Sequence, residues 1–323
     1  MSEKPEAFEP VIVAFCCWWC SYGAADLAGT SKLDYPTNVR IVRVPCSGRV
    51  GPMHVLHAFQ RGADGVIVAG CLKEQCHYVD GNLRSEKRVL ILKRILEDLG
   101  LSEKRLEMIF VSAAMAPEFV RLVTDFSNQV RELGPSPLRG IRAVTIIEKR
   151  EALIEILSTI SKITSKEPSL MLPELEYQIF GEPLINEKKC TVCGSCVNVC
   201  PEGAIILEEG REKHIVKHYH SFCSVCKKCE EICPEKAIKI INILDLRRLI
   251  AKIDKIDRVG NLTKCKICGQ FFASEDLMLS LKNKESMHRV SPDLLDICEK
   301  CRRKTALTHL EMLTSGVRTI SSL

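Results

Sequence analysis

Aromatic residues are scarce in this 323-residue chain, where 10 Phe, 5 Tyr and 2 Trp make up 5% of the composition. They do not interleave with lysine and arginine as in a nucleic-acid surface, so no nucleic-acid partner is expected. Long apolar runs are also missing. A membrane helix needs about 20 apolar residues. Here the first apolar run follows the polar, acidic start MSEKPEAFEP and ends in Cys-Cys-Trp-Trp-Cys at 16–20. Neither a secretory leader nor a membrane span is expected from it. There is no Gly-rich phosphate loop, no Ser-His-Asp set and no carboxylate pair, and no catalytic residue is assigned.

Cysteine, by contrast, is abundant, with 18 residues. In a chain without an export signal, clustered cysteines read as metal ligands in a reducing cytoplasm. They also change the meaning of the formal charge of +5, which counts every thiol as neutral. If sixteen cysteines bind metal as thiolates, the net charge falls to about −3, so the basic balance argues little for nucleic acid. Residues 243–323 carry 15 Lys and Arg against 10 Asp and Glu, an excess suited to an acidic partner protein.

The cysteines at the centre of the chain form two copies of one pattern. Cys190, Cys193, Cys196 and Cys200 have the spacing C-x2-C-x2-C-x3-C, followed by Pro201. Cys223, Cys226, Cys229 and Cys233 repeat it 33 residues later, followed by Pro234. Three thiolates from one tight loop can hold three corners of a cubane, and in paired runs the fourth cysteine ligates the other cluster. Cluster one is therefore assigned to Cys190, Cys193, Cys196 and Cys233, and cluster two to Cys223, Cys226, Cys229 and Cys200. The stretch resembles bacterial-type ferredoxins with two [4Fe–4S] clusters. That resemblance implies a β-α-β-β-α-β fold over 183–242, with Ile205, Ile206, Ile238 and Ile240 closing an apolar shell.

Toward the N-terminus, short apolar runs at Val11–Phe15, Val39–Val44, Gly65–Ala69 and Met108–Val111 alternate with helical patterns at Pro52–Arg61, Ser85–Leu99 and Pro117–Leu133. This alternation predicts an α/β domain, a parallel sheet with flanking helices. Six cysteines follow its strands: Cys16, Cys17, Cys20, Cys46, Cys71 and Cys76. Ligand sites gather at the carboxyl ends of strands in open α/β sheets. His54 and His57 lie on a predicted helix and read as packing or surface residues. Trp18 and Trp19 suit either shielding of a cluster or contact with a partner.

Three segments carry a further resemblance: Phe15-Cys-Cys-Trp-Trp-Cys-Ser-Tyr-Gly-Ala-Ala-Asp-Leu-Ala-Gly29, Val44-Pro-Cys-Ser-Gly-Arg-Val50 and Gly70-Cys-Leu-Lys-Glu-Gln-Cys-His-Tyr78. They are similar to the delta subunit of methyl-viologen-reducing hydrogenases, also found with heterodisulfide reductase complexes. The resemblance implies one [2Fe–2S] cluster held by four of Cys17, Cys20, Cys46, Cys71 and Cys76, with Cys16 as the spare. It also implies a relay between an input dehydrogenase and the flavin-containing part of a reductase.

Gly134-Pro-Ser-Pro137 closes this domain. A strand is expected at Ile141–Ile147, a helix at Lys149–Ile163, an extended connector at Ser165–Pro183 and a helix at Leu244–Ile256. Cys265, Cys268, Cys298 and Cys301 form two C-x2-C pairs with a 29-residue insert. Their spacing and the glycine after Cys268 suit a zinc-ribbon-like site, while a third iron–sulfur cluster would use the same atoms.

The expected organisation is a delta-subunit-like domain (1–139), a linker (140–182), a two-cluster α+β ferredoxin domain (183–242) and a small four-cysteine tail (243–323). The expected cofactors are two [4Fe–4S] clusters, one [2Fe–2S] cluster and one zinc. The expected function is cytoplasmic electron transfer, linking a hydrogenase, formate dehydrogenase or deazaflavin oxidoreductase to a flavin-containing heterodisulfide reductase-like module. A small flavin-bearing oxidoreductase and a redox-sensing regulator are the alternatives.

Overall fold

A computed structural model of the chain describes residues 8–139, 149–173, 180–284 and 292–314. The chain divides into two compact units, residues 1–170 and 171–323. The strand expected at 141–147 lies outside the described residues.

The first unit is built on four parallel strands, β1 (Ile12–Cys17), β2 (Val39–Val44), β3 (Gly65–Gly70) and β4 (Leu106–Phe110), in the order β2-β1-β3-β4. β3 reads GVIVAG and is buried throughout, as an interior parallel strand covered on both faces must be. β2 reads VRIVRV, and its outer positions are exposed because it lies at the edge. The helices are α1 (Ser21–Thr30), α2 (Pro52–Gln60), α3 (Gly81–Asp98), α4 (Ala116–Leu133) and α5 (Lys149–Thr164). α4 buries Phe119, Val123, Phe126 and Val130, one face of a helix at i, i+4, i+7 and i+11. Those residues pack with Ala24 and Ala25 of α1 and with Ile12, Ala14, Cys16, Ile67 and Ala69 of the sheet. Alternation along β1 turns Val13, Phe15 and Cys17 to the other side. α4 ends at Gly134, whose φ of 71° suits the glycine there.

The second unit contains β5 (Met171–Pro173), β6 (Gly181–Ile185), α6 (Ser195–Val199), β7 (Ile205–Glu209), β8 (Lys213–Tyr219), α7 (Lys228–Ile232) and β9 (Ile238–Asp245). These are followed by α8 (Leu246–Ala251), β10 (Asp254–Lys264), β11 (Phe271–Ser274), α9 (Glu275–Lys282), α10 (Pro292–Leu295) and α11 (Glu299–Thr314). From β6 to β9 the order is β-α-β-β-α-β. The strands form two antiparallel sheets, β5-β9-β6 and β11-β10-β8-β7.

Two expectations are corrected here. The stretch Ser165–Pro183 is not wholly a connector, because β5 and β6 flank β9; Pro173 and Pro183 are tolerated because both strands are sheet edges. The helix expected at Leu244–Ile256 shrinks to α8. Lys252 turns left-handed at φ 51° after it, and the chain from Asp254 onward pairs with β8. Long-range strand pairing there overrides local helix propensity.

Candidate metal centres

In the order β2-β1-β3-β4 the chain leaves β1 toward one edge and β3 toward the other. The loops after these two strands diverge and open a crevice at their carboxyl ends. Cys17 and Cys20 follow β1, Cys71 and Cys76 follow β3, and Cys46 enters from the end of β2. The Sγ atoms of Cys17, Cys20 and Cys71 lie within 4.8 Å of one another, with Cys17 and Cys71 4.0 Å apart. Cys46 and Cys76 meet on the adjacent side, against the start of α3. Cys16, one residue from Cys17, points the opposite way into the sheet core, where burial pushes its thiol up to about 12.

Polar side chains fix the three loops. Ser21 Oγ accepts from Cys17 N at 2.8 Å and donates to Ala69 O at 2.9 Å, joining β1 to β3. The buried Asn82 amide donates to the carbonyls of Cys71 (3.0 Å) and Leu72 (2.9 Å). The Arg88 guanidinium donates to Gly48 O (2.9 Å) and Val50 O (3.0 Å), clamping the Cys46 turn onto α3. No sequence signal marks these three residues, since their partners are backbone carbonyls or distant strands.

The electrostatics of this thiol set favour a cation. A hydrogen bond from Cys20 lowers Cys17 to about 5, against its burial, while burial holds Cys46 up at about 11 and raises Cys71. Without a metal, neighbouring thiols suppress one another's ionisation; a polycationic core takes its ligands as thiolates. The donor set therefore fits a soft, sulfur-bound metal group. The rim is aromatic. Trp18 and Trp19 are half exposed, Trp19 stacks on His77 with ring centroids 3.7 Å apart, and the Arg43 guanidinium lies 3.9 Å above Trp18. His54 Nδ1 accepts from Gly51 N at 3.1 Å, a structural role at the start of α2.

In the second unit the backbone repeats along with the sequence. Left-handed φ values recur 33 residues apart, at Val192 (53°) and Val225 (57°), Gly194 (76°) and Lys227 (61°), and Gly203 (60°) and Lys236 (47°). A β-branched residue in that region is strained, and tight loops that fold their thiols inward impose it here twice. Cys190, Cys193, Cys196 and Cys233 line one enclosed cavity together with Val216 and Ile238. Cys229 is pushed up to about 12, first by burial and then by its neighbours Cys223, Cys226 and Cys200. Each run thus meets the fourth cysteine of the other. The backbone N–H groups of Ala204 and Ala237 donate to Cys200 Sγ and Cys233 Sγ, both at 3.2 Å. Ile205, Ile238 and Ile240 belong to the surrounding apolar cluster. Ile206 does not, because strand alternation turns it away and packs Leu207 there instead.

In the tail, the Sγ atoms of Cys265, Cys268, Cys298 and Cys301 lie within 4.8 Å of one another. Cys265 and Cys268 form a knuckle between β10 and β11 with Gly269 at φ 72°; Cys298 and Cys301 sit at the start of α11 rather than on a second knuckle. Burial opposes a Cys265 thiolate, yet backbone N–H groups from Cys268, Cys298 and Ile267 bring it down to about 6. Asp296 accepts from Lys266 and Lys282, both at 2.6 Å, tying the two halves of the site together.

No helix among the described residues is long and apolar enough to cross a membrane. Comparison with known proteins covers the first two of these cysteine-rich regions. Residues 188–238 match the 4Fe-4S dicluster domain, and the class is therefore that of iron–sulfur proteins. Residues 12–134 match the family described as methyl-viologen-reducing hydrogenase, delta subunit. The vhu iron-sulfur subunit of the F420-non-reducing hydrogenase from Methanocaldococcus jannaschii is 50% identical over 132 residues, 41% of this chain and 98% of that protein. Its counterpart in Methanopyrus kandleri is 53% identical over 127 residues, 39% of this chain and 96% of that protein. One subunit of the ferredoxin:CoB-CoM heterodisulfide reductase from Methanosarcina mazei is 48% identical over 126 residues, 39% of this chain but 16% of that protein. The chain belongs to the methyl-viologen-reducing hydrogenase delta subunit family, with the dicluster domain and the four-cysteine tail added after the shared part.

Proposed function

We propose that this chain is a non-catalytic relay, passing electrons between an input dehydrogenase and a flavin-containing heterodisulfide reductase-like module. The observation that carries the reading is the gathering of five thiols at the β1/β3 crevice of a delta-subunit domain that is joined to a dicluster domain. A relay needs no catalytic side chain; its residues set burial, spacing and docking. The input is a hydrogenase, a formate dehydrogenase or a deazaflavin oxidoreductase, and the site of action is the cytoplasm.

The modules of the relay are residues 1–139, 183–242 and 243–323. In the first, Cys17, Cys20 and Cys71 with one of Cys46 and Cys76 hold a [2Fe–2S] cluster. In the second, the crossed sets Cys190, Cys193, Cys196, Cys233 and Cys223, Cys226, Cys229, Cys200 hold two [4Fe–4S] clusters. In the third, Cys265, Cys268, Cys298 and Cys301 hold zinc, supported by four close thiols with a knuckle glycine. The metals supply reversible electron storage and, at zinc, a structural tie.

Anaerobically purified protein should contain about ten iron atoms and one zinc per chain. About fourteen iron and no zinc would replace the zinc assignment with a third cubane. Purification from native cells should bring down a flavin-containing reductase. If the chain instead purifies alone, releases flavin in acid and turns over a small substrate, the relay reading is overturned.

A further inference from the structure

The 33-residue repeat makes each half of the dicluster region a control for the other. In the first run Thr191, Val192 and Gly194 are buried, and Cys193 and Ser195 are partly so. The cover comes from the elements that follow. Ser274 Oγ donates to Thr191 O at 2.5 Å, and Gly260 lies so close to Val192 that a Cβ there would stand 2.8 Å from its Cγ2. Behind Cys233, the Ser280 hydroxyl and the Lys284 ammonium hold Glu235 at 2.9 and 3.0 Å.

Of the equivalent positions in the second run, Val225 is buried and Ser224 half-buried, but Cys226, Lys227 and Lys228 are all exposed. Among the described residues neither ammonium has a carboxylate partner. Lys227 takes the left-handed conformation that Gly194 takes in the first run, at φ 61° against 76°. One turn further along α7, Ile232 is 50% exposed on the same side as Lys228. The second run thus offers an open thiol corner with an apolar spot and two unpaired positive charges next to Cys226, while the carboxylates of α7 lie further along the helix, Glu230 held by Ile240 N and Glu231 exposed.

Resting on the relay reading above, we propose that the Cys226–Lys228 rim is an electron port that docks a separate one-electron redox protein whose own centre is ringed by carboxylates. One electron crosses per encounter: the partner is oxidised as this chain is reduced, or the reverse, and no bond is made or broken. The chain's own N-terminal centre is a poor occupant. Its loops carry Arg43 and Arg49 against Glu74, while Lys73 and Arg84 are already paired with Glu86 and Asp80, so the charge left over still has the same sign as the port.

The test uses the full, metal-loaded chain, reduced with dithionite and oxidised by substoichiometric hexacyanoferrate(III), an anion, or hexaamminecobalt(III), a cation, in stopped flow. Lys227→Glu/Lys228→Glu should slow the anion reaction about tenfold at low salt, speed the cation reaction, and lose both effects at high salt. Lys188→Glu/Lys189→Glu puts the same charge change beside Cys190 on the covered run and should alter either rate less than about twofold. Equal effects of the two double variants, or none from either, would overturn the port. So would protection of Lys227 and Lys228 from amine labelling in the free chain, since the N-terminal unit would then cover the rim. A chain that accepts no electrons from dithionite would instead overturn the relay reading itself.

Discussion

Replacing Gly48 with alanine tests whether the Cys46 turn depends on backbone touching backbone. A Cβ on Gly48 would stand 2.9 Å from both Cα and the carbonyl oxygen of Gly81, and no side chain there can swing aside. Relief to ordinary contact near 3.5 Å requires the turn and α3 to part by about 0.6 Å. Arg88 opposes that movement through its bonds to Gly48 O and Val50 O. Overpacking of this kind costs about 1–3 kcal/mol. In a unit of this size each kcal/mol lowers Tm by about 2–4 °C. The expected loss is therefore about 2–12 °C in the first unit's transition by anaerobic calorimetry. Because Cys46 rides on the turn, the electron paramagnetic resonance signal of the N-terminal centre should change while the dicluster signals stay fixed. Gly29→Ala is the control. Nothing lies within 4 Å of its Cβ, and inside α1 alanine gains up to about 1 kcal/mol over glycine. An unchanged Tm and signal in Gly48→Ala would refute the tight approach, and an equal loss in Gly29→Ala would show that the effect is not local.

Two further outcomes follow from the second unit. Cys200→Ser should damage the cubane of Cys223, Cys226 and Cys229, read as loss of one of two [4Fe–4S] signals; loss of the other cubane would refute the crossing. Burial opposes charge on His218, as does the Arg248 guanidinium 2.9 Å from its Nε2, but Asp257 Oδ2 at 2.6 Å from its Nδ1 and Glu182 at 3.4 Å from its Nε2 outweigh them, so its pKa is raised above 6.5. That stabilisation is fully present below about pH 6.5 and is lost as pH rises through the raised value. Urea midpoints of the metal-loaded protein should fall on the alkaline side, and His218→Asn should be less stable and lose this pH dependence.

The parallel sheet was legible because β1 and β3 are unbroken apolar runs, and the cysteine loops were legible because cysteine spacing is a local property. Helix α1 escaped notice, since it buries Ala24, Ala25 and Ala28, too small to make a strong periodic pattern. β5 and β10 escaped because each is a strand only by virtue of its partner, β9 for the first and β8 for the second. The supports of the N-terminal centre were invisible for a similar reason. Asn82 and Arg88 stand on a helix like any polar residues, and only the fold brings carbonyls from the cysteine loops to them.

The exchange of fourth cysteines between the two runs has a topological consequence. Under the proposed crossed ligation each cubane would tie the segment before the β7–β8 hairpin to the segment after it, so the halves would be laced to each other twice. A single cut within residues 210–212, at the tip of that hairpin, would leave two fragments still tied through sulfur at both centres. Removal of the metal would leave them held by strand pairing alone, and neither fragment by itself would carry the proposed ligand set for either cubane.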